Sequence, residues 1–232
     1  MVPLSVTSLG ENTAQAQMLY NMLSRPGSVP AQAPPRTPTP ANGGNDWIAG
    51  SEHPCVWRGR FALKNDEVLA QMFHLSGHLD LFRACMDVLA SGDAGASSGL
   101  DALLKISQRM RFDPSQMEGV YRKLRQPQDF VMCLALATAP PSLGPESEET
   151  HAQRHAQMNR VMSDSFIRYL QEKSAAGIIH VCSATTNENL YIVHIFPPCD
   201  FTRSQLGGAF TDVHEKLNKT DTPYLLVVIT NV

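Results

Sequence analysis

Residues 105–112, Lys-Ile-Ser-Gln-Arg-Met-Arg-Phe, alternate polar and apolar side chains with period two. Read as one strand, they send Lys105, Ser107, Arg109 and Arg111 to one face and Ile106, Met110 and Phe112 to the other, with Gln108 the misfit on the apolar side. The same period recurs over 56–64, where Trp57, Phe61 and Leu63 alternate against Arg58, Arg60 and Lys64 until a turn at Asn65-Asp66. Residues 68–75 read as the hairpin partner, stopped at Ser76-Gly77; helix competes there, because 67–72 holds good helix formers. The apolar run 130–137 predicts a buried strand, as does 224–230, and 178–182 and 190–196 predict two more, joined by a polar loop containing Asn187-Glu188-Asn189.

Helical spacing appears in four places. Leu79, Phe82, Met86 and Leu89 mark a helix over 78–89. Asp113-Pro114-Ser115-Gln116 is a helix start, with Asp113 able to cap, Pro114 suited to the first turn and Gln116 in the capping-box position. Met117, Val120, Tyr121 and Leu124 follow as its inward stripe. A long helix over 152–176 buries Met158, Val161, Met162, Phe166 and Leu170 and ends at Gly177 as C-cap, and 204–217 buries Leu206, Phe210, Val213 and Leu217. About seven strands and four longer helices, not strictly alternating, predict an α+β fold with a curled or closed sheet.

Residues 1–50 break every such period. Pro26, Pro30, Pro34, Pro35, Pro38 and Pro40 stand among Ala, Ser, Thr and Gly, ending in Asn42-Gly43-Gly44-Asn45, a composition that buries too little apolar surface to offset its ordering entropy. The expectation is a disordered linker over 1–50, with a short helix over 15–23 and proline-directed phosphorylation sites at Thr37 and Thr39, or a plain spacer. The 91–99 stretch and the acidic 140–150 stretch, with Glu146, Glu148 and Glu149, are expected as exposed loops.

The net charge of -3 argues against a protein coated in basic groups, so any polyanion affinity must come from a local patch. Cys55, Cys85, Cys133, Cys182 and Cys199 are odd in number and lack a Cys-x-x-Cys pair, which fits reduced thiols in nucleus or cytosol better than a disulfide framework. No apolar run reaches the roughly 18 residues of a membrane span, residues 1–10 lack a signal peptide's basic start and apolar block, and the Asn218-Lys219-Thr220 sequon carries no meaning in an intracellular chain.

Catalytic and cofactor motifs are weak. Gly95-Ala96-Ser97-Ser98-Gly99 matches Gly-x-Ser-x-Gly in form, but no apolar strand feeds it. His74/His78 and His151/His155 have i, i+4 spacing without the Glu of His-Glu-x-x-His, and His180 and His194 sit in apolar strands as core histidines. No phosphate loop or dinucleotide fingerprint occurs, so no enzyme and no cofactor are expected.

The run 55–66, Cys-Val-Trp-Arg-Gly-Arg-Phe-Ala-Leu-Lys-Asn-Asp, resembles the opening of the SPOC domain, the C-terminal module of the Split ends family of transcriptional regulators. Residues 106–111, 116–120, 166–179 and 195–201 agree with it in order, so the resemblance covers 54–232, while the family's RNA-recognition motifs are missing from this chain. It implies a distorted seven-stranded β-barrel framed by helices. It also implies a monomeric, non-catalytic nuclear module that binds acidic, serine-phosphorylated peptides, as in corepressors of the SMRT and NCoR type or the RNA polymerase II tail. Carried over by motif, the phosphate-facing residues are Lys64, Arg109, Arg111, Tyr169 and Lys173, with Lys105 at the edge. Direct RNA binding through the same cations is the alternative, although no stacking aromatics are interleaved with them.

Overall fold

In the computed structural model, which describes residues 45–49, 52–92, 102–141 and 147–232, the two alternating runs at 56–64 and 105–112 both become strands, and they lie side by side. β1 (Cys55–Leu63) turns through Lys64 and Asn65 into β2 (Asp66–Gly77), an antiparallel hairpin rather than a helix over 67–72. The second run is not one strand but two. β3 (Leu103–Ile106) pairs parallel with β1, and β4 (Gln108–Arg111) pairs antiparallel with β6 (Ala175–Cys182). With β5 (Phe130–Ala137), β7 (Asn189–Phe196) and β8 (Tyr224–Asn231), the sheet order is β3-β1-β2-β5-β8-β7-β6-β4. Its two ends are therefore joined by a single residue, Ser107, and the sheet closes on itself as a nearly complete barrel. The expected α+β barrel is the fold, with eight strands instead of seven because the basic strand divides.

The division has a local cause. Ile106 is buried, whereas Gln108, the misfit of the alternation, is exposed. Between them the chain leaves β1 for β6, and the Ser107 N–H donates to the Ile178 carbonyl at 3.2 Å. Gly177 makes the approach possible: a Cβ there would lie 2.9 Å from Ile106 Cγ2.

Alternating strand residues feed two cores. One gathers Phe61, Met72, Leu104, Val193 and Val227 with Phe82 and Cys85 of α2 (Leu79–Gly92) and with Met162, Phe166 and Leu170. The other sets Phe73, Leu134, Phe196 and Leu226 against α3 (Pro114–Leu124), α6 (Asp200–Ala209) and α7 (Thr211–Thr220). β5 is buried along its whole length, which explains its continuous apolar run.

Several boundaries differ from expectation. Residues 45–49, placed in the linker by composition, belong to the folded unit: α1 (Asp46–Ala49) buries Ile48 completely in the second core, and Asn45 Nδ2 donates to the Ala137 carbonyl at 2.9 Å. Residues 1–44, with the helix expected over 15–23, and the Gly95–Gly99 motif lie outside the described residues. Asp113 stands at the N-cap of α3 but makes no side-chain cap bond, and Tyr121 is 39% exposed, packing edge-on to Phe201.

The long helix is three pieces: α4 (Glu148–Val161), a π-helical segment (Met162–Ile167) and α5 (Arg168–Glu172). It starts ahead of 152 because Ser147 caps it, accepting from the Thr150 N–H, and Glu148 and Glu149 then favour the positive end of the helix dipole. It stops before Gly177 because Ser174 adopts a left-handed φ of 46°; Gly177 lies inside β6. The helix expected over 204–217 breaks at Phe210, and His74 lies in β2, so His74/His78 is not a helical pair.

Candidate functional site: a basic groove at the closing seam

The site begins at the β1–β2 turn. Lys64 holds a left-handed φ of 56°, which lifts its side chain across the seam, and Nζ stands 3.8 Å from the centroid of the Tyr169 ring. Tyr169 projects from α5, half-buried, just after the π-helical segment that turns Phe166 and Leu170 into the core. From the other side, β4 brings Arg109, whose guanidinium carbon is 5.2 Å from the same centroid and whose Nη1 donates to Tyr169 Oη. The phenol is thus held between two cations by cation–π attraction. Because its oxygen accepts from Arg109, its own O–H remains a donor for an incoming acceptor.

An open groove of about 540 Å³ lies here, lined by Leu63, Lys64, Lys105, Ile106, Ser107, Gln108, Arg109 and Tyr169. Four of the six expected residues, Lys64, Lys105, Arg109 and Tyr169, are therefore brought together. Arg111 and Lys173 do not line the groove. Arg111 is exposed two residues farther along β4, opposite Ala175, and Lys173 is exposed at the end of α5, its N–H donating to the Tyr169 carbonyl. Arg111 shares a face of β4 with Arg109, and Lys173 follows Tyr169 by one helical turn. Sequence reasoning missed Ser107 and Gln108 as lining residues; the broken alternation at Gln108 was the available signal.

Some surface cations are neutralised by a neighbour. Arg60, Arg83, Arg168 and Arg203 each pair with a carboxylate, Glu67, Asp80, Asp164 and Asp200 respectively. Among the described residues, Lys64, Lys105, Arg109, Arg111 and Lys173 have no such pair. Beyond the Lys64–Tyr169 stack, a smaller hollow of about 250 Å³ holds Asp66, Asp164 and Glu172, with Asp164 already engaged by Arg168 at 2.7 Å. The groove is therefore lined by three cations and by no carboxylate.

The other titratable groups serve the fold. His155 Nε2 lies 3.2 Å from the Ala137 carbonyl, and burial lowers its pKa. Burial also pushes His194 down to about 4, its Nδ1 lying 3.3 Å from the Val228 carbonyl. Cys85 and Cys133 are buried thiols raised by desolvation, Cys85 to about 12, whereas Cys55 is exposed. Among the described residues no three His, Cys, Asp or Glu gather as a metal site, and no helix is long and apolar enough to cross a membrane.

Comparison with known proteins bears on this arrangement. The mouse Msx2-interacting protein is 35% identical over 181 residues, covering 78% of this chain. Protein split ends of Drosophila melanogaster is 33% identical over 201 residues, 87% of this chain, and mouse RNA-binding protein 15 is 31% identical over 186 residues, 78% of this chain. The chain spans only 4%, 3% and 18% of those three proteins. Among solved structures, the SPOC domain of human PHD-finger protein 3 aligns over 77% of this chain and 97% of its own, with TM-score 0.38 and 12% identity. The SPOC domain family model matches residues 49–232, from the last residue of α1 through β8. By that match the chain belongs to the SPOC domain family, a family of protein-interaction modules in Split ends-type transcriptional regulators.

Proposed function

We propose that the groove binds acidic, serine-phosphorylated peptides and that the chain is the partner-recruiting module of a nuclear transcriptional co-regulator. The observation that carries this reading is the set of Lys64, Lys105, Arg109 and Tyr169 lining one groove, the three cations without a carboxylate partner. A phosphoserine brings about -1.5 to -2 charge and three acceptor oxygens, which match one guanidinium fork, two ammonium groups and a phenol donor. Arg111 and Lys173 extend the same charge to the acidic residues flanking the phosphate. The resemblance to the Split ends family points to corepressor tails of the SMRT and NCoR type, or to the RNA polymerase II tail, as sources of such peptides.

A single titration tests this. An acidic Ser-rich peptide, its phosphorylated form and a single-stranded RNA of similar charge are compared against the same protein at the same ionic strength. The phosphorylated peptide is expected to bind at least 10-fold more tightly than the other two. Equal affinity for both peptides, or preference for RNA, overturns the reading.

A further inference from the structure

The seam that closes the barrel also leaves a strand position empty. β1 pairs with β3 only from Arg60↔Leu103 to Leu63↔Ile106, and then departs through the Lys64–Asn65 turn. The chain continues through Ser107 into β4, whose partner lies on the opposite side, β6. Among the described residues no strand follows next to β4, in line with β1 and past its turn, and the groove lined by Leu63, Lys64 and residues 105–109 opens at that place.

The register fixes what this edge offers. Phe112 N–H donates to the Ser174 carbonyl, so the hydrogen-bonded pairs with β6 fall at 112, 110 and 108. Arg109 and Arg111 fall at the intervening positions, and their backbone N–H and C=O point away from β6. Among the described residues neither has a backbone partner on that side. The edge is four residues long, which spans about 13 Å and matches an extended segment of about four residues. Edges of this kind are ordinarily blunted or covered. Here the two residues with free main-chain groups are the two arginines.

We infer that the phosphopeptide docks as an added β-strand on the open edge of β4, its main chain hydrogen-bonded to the N–H and C=O of Arg109 and Arg111. The inference rests on the phosphopeptide reading above and adds its binding mode. In that mode the Arg109 and Arg111 side chains are spaced by two residues, about 6.5 to 7 Å, and meet acidic groups on alternate residues of the ligand. The edge thus selects phosphoserine with an acid two residues away, because an acid one or three residues away faces the other side of the added strand.

The test uses the intact chain and an acidic heptapeptide with one central phosphoserine. N-methylation of each peptide amide in turn removes one donor without changing charge. An added strand predicts an alternating pattern, with two or three methylations weakening binding about 3- to 10-fold each and their neighbours having little effect. Amide exchange read residue by residue is expected to slow at least 10-fold at Arg109 and Arg111 on peptide addition, with Met110, already bonded to β6, unchanged. Tight, phosphate-dependent binding with a flat methylation scan and no new protection overturns the added strand but leaves the phosphopeptide reading standing. No binding of the phosphorylated peptide overturns both.

Discussion

Arg109 meets Tyr169 twice, through the ring face and through the hydroxyl, and this double contact separates recognition from stability. Arg109 is exposed and without an ion pair, so Arg109→Ala leaves the cores intact while removing a fork aimed at the ligand. Phosphopeptide affinity is expected to fall about 10- to 150-fold with Tm nearly unchanged; a titration alongside a thermal melt checks this, and a collapsed Tm with lost binding contradicts it. His194 works in the opposite sense, on the fold alone. Burial, helped by the charge of His180, holds its folded pKa near 4, below the unfolded value of about 6.5. The folded state then binds fewer protons than the unfolded state between those values. Its stabilising contribution is complete above pH 6.5 and is lost as pH falls toward 4, by about 3 kcal/mol at most. Urea midpoints measured from pH 7 to pH 4 are expected to fall along that limb, and His194→Gln to flatten it. His155, lowered in the same direction, adds to the slope.

At the scale of elements, turns and close approaches decide most. Lys64 sits at φ 56°, where a Cβ is strained. Lys64→Gly is expected to keep or raise stability, by up to about 1 kcal/mol, while weakening phosphopeptide binding, an uncoupling that chemical denaturation and titration read separately. Gly177→Ala is expected to do the reverse: its new Cβ meets Ile106 at 2.9 Å, costing about 1 to 3 kcal/mol, with Ile106→Ala restoring part of the loss. These two positions also show what could be read from the chain. The buried strand at Phe130–Ala137 and the stripe of α2 were legible because each element stays in one environment from end to end. The division at Ser107 was not, since the alternation Lys105, Ser107, Arg109 continues across a change of partner that only residues 60–63 and 174–178 define. Gly177 was read as a helix end because glycine suits a left-handed cap, but Ser174 takes that conformation and the glycine serves Ile106. Of the site, Lys105 and Arg109 were legible in the alternation and Lys64 and Tyr169 through the resemblance; Ser107 and Gln108 stood in the same alternation but become lining residues only through the fold.

The whole molecule is held at points far apart in sequence. Asn45 bonds the Ala137 carbonyl and Ile48 is fully buried against the second core, so the folded unit begins well before β1. A chain starting at Pro54 is expected to be less stable than one starting at Asn45 by about 1.5 to 3 kcal/mol, the burial of one isoleucine, as urea midpoints of the two would show. The barrel itself depends on two distant pairings meeting at Ser107: residues 60–63 with 103–106, and residues 108–111 with 175–178. Both pairings must close long loops, and the four-pair parallel β1–β3 ladder and four-residue β4 repay less of that cost than the longer ladders elsewhere in the sheet. The seam is therefore expected to be the last part of the barrel to zip and the first to fray, and a ligand docked across it as proposed would act as a clasp. At 100 times its dissociation constant it adds about 2.7 kcal/mol to the closed form. On that reading, release of the partner lowers the barrel's stability by the same amount, so the module is most vulnerable to unfolding when it has nothing to hold.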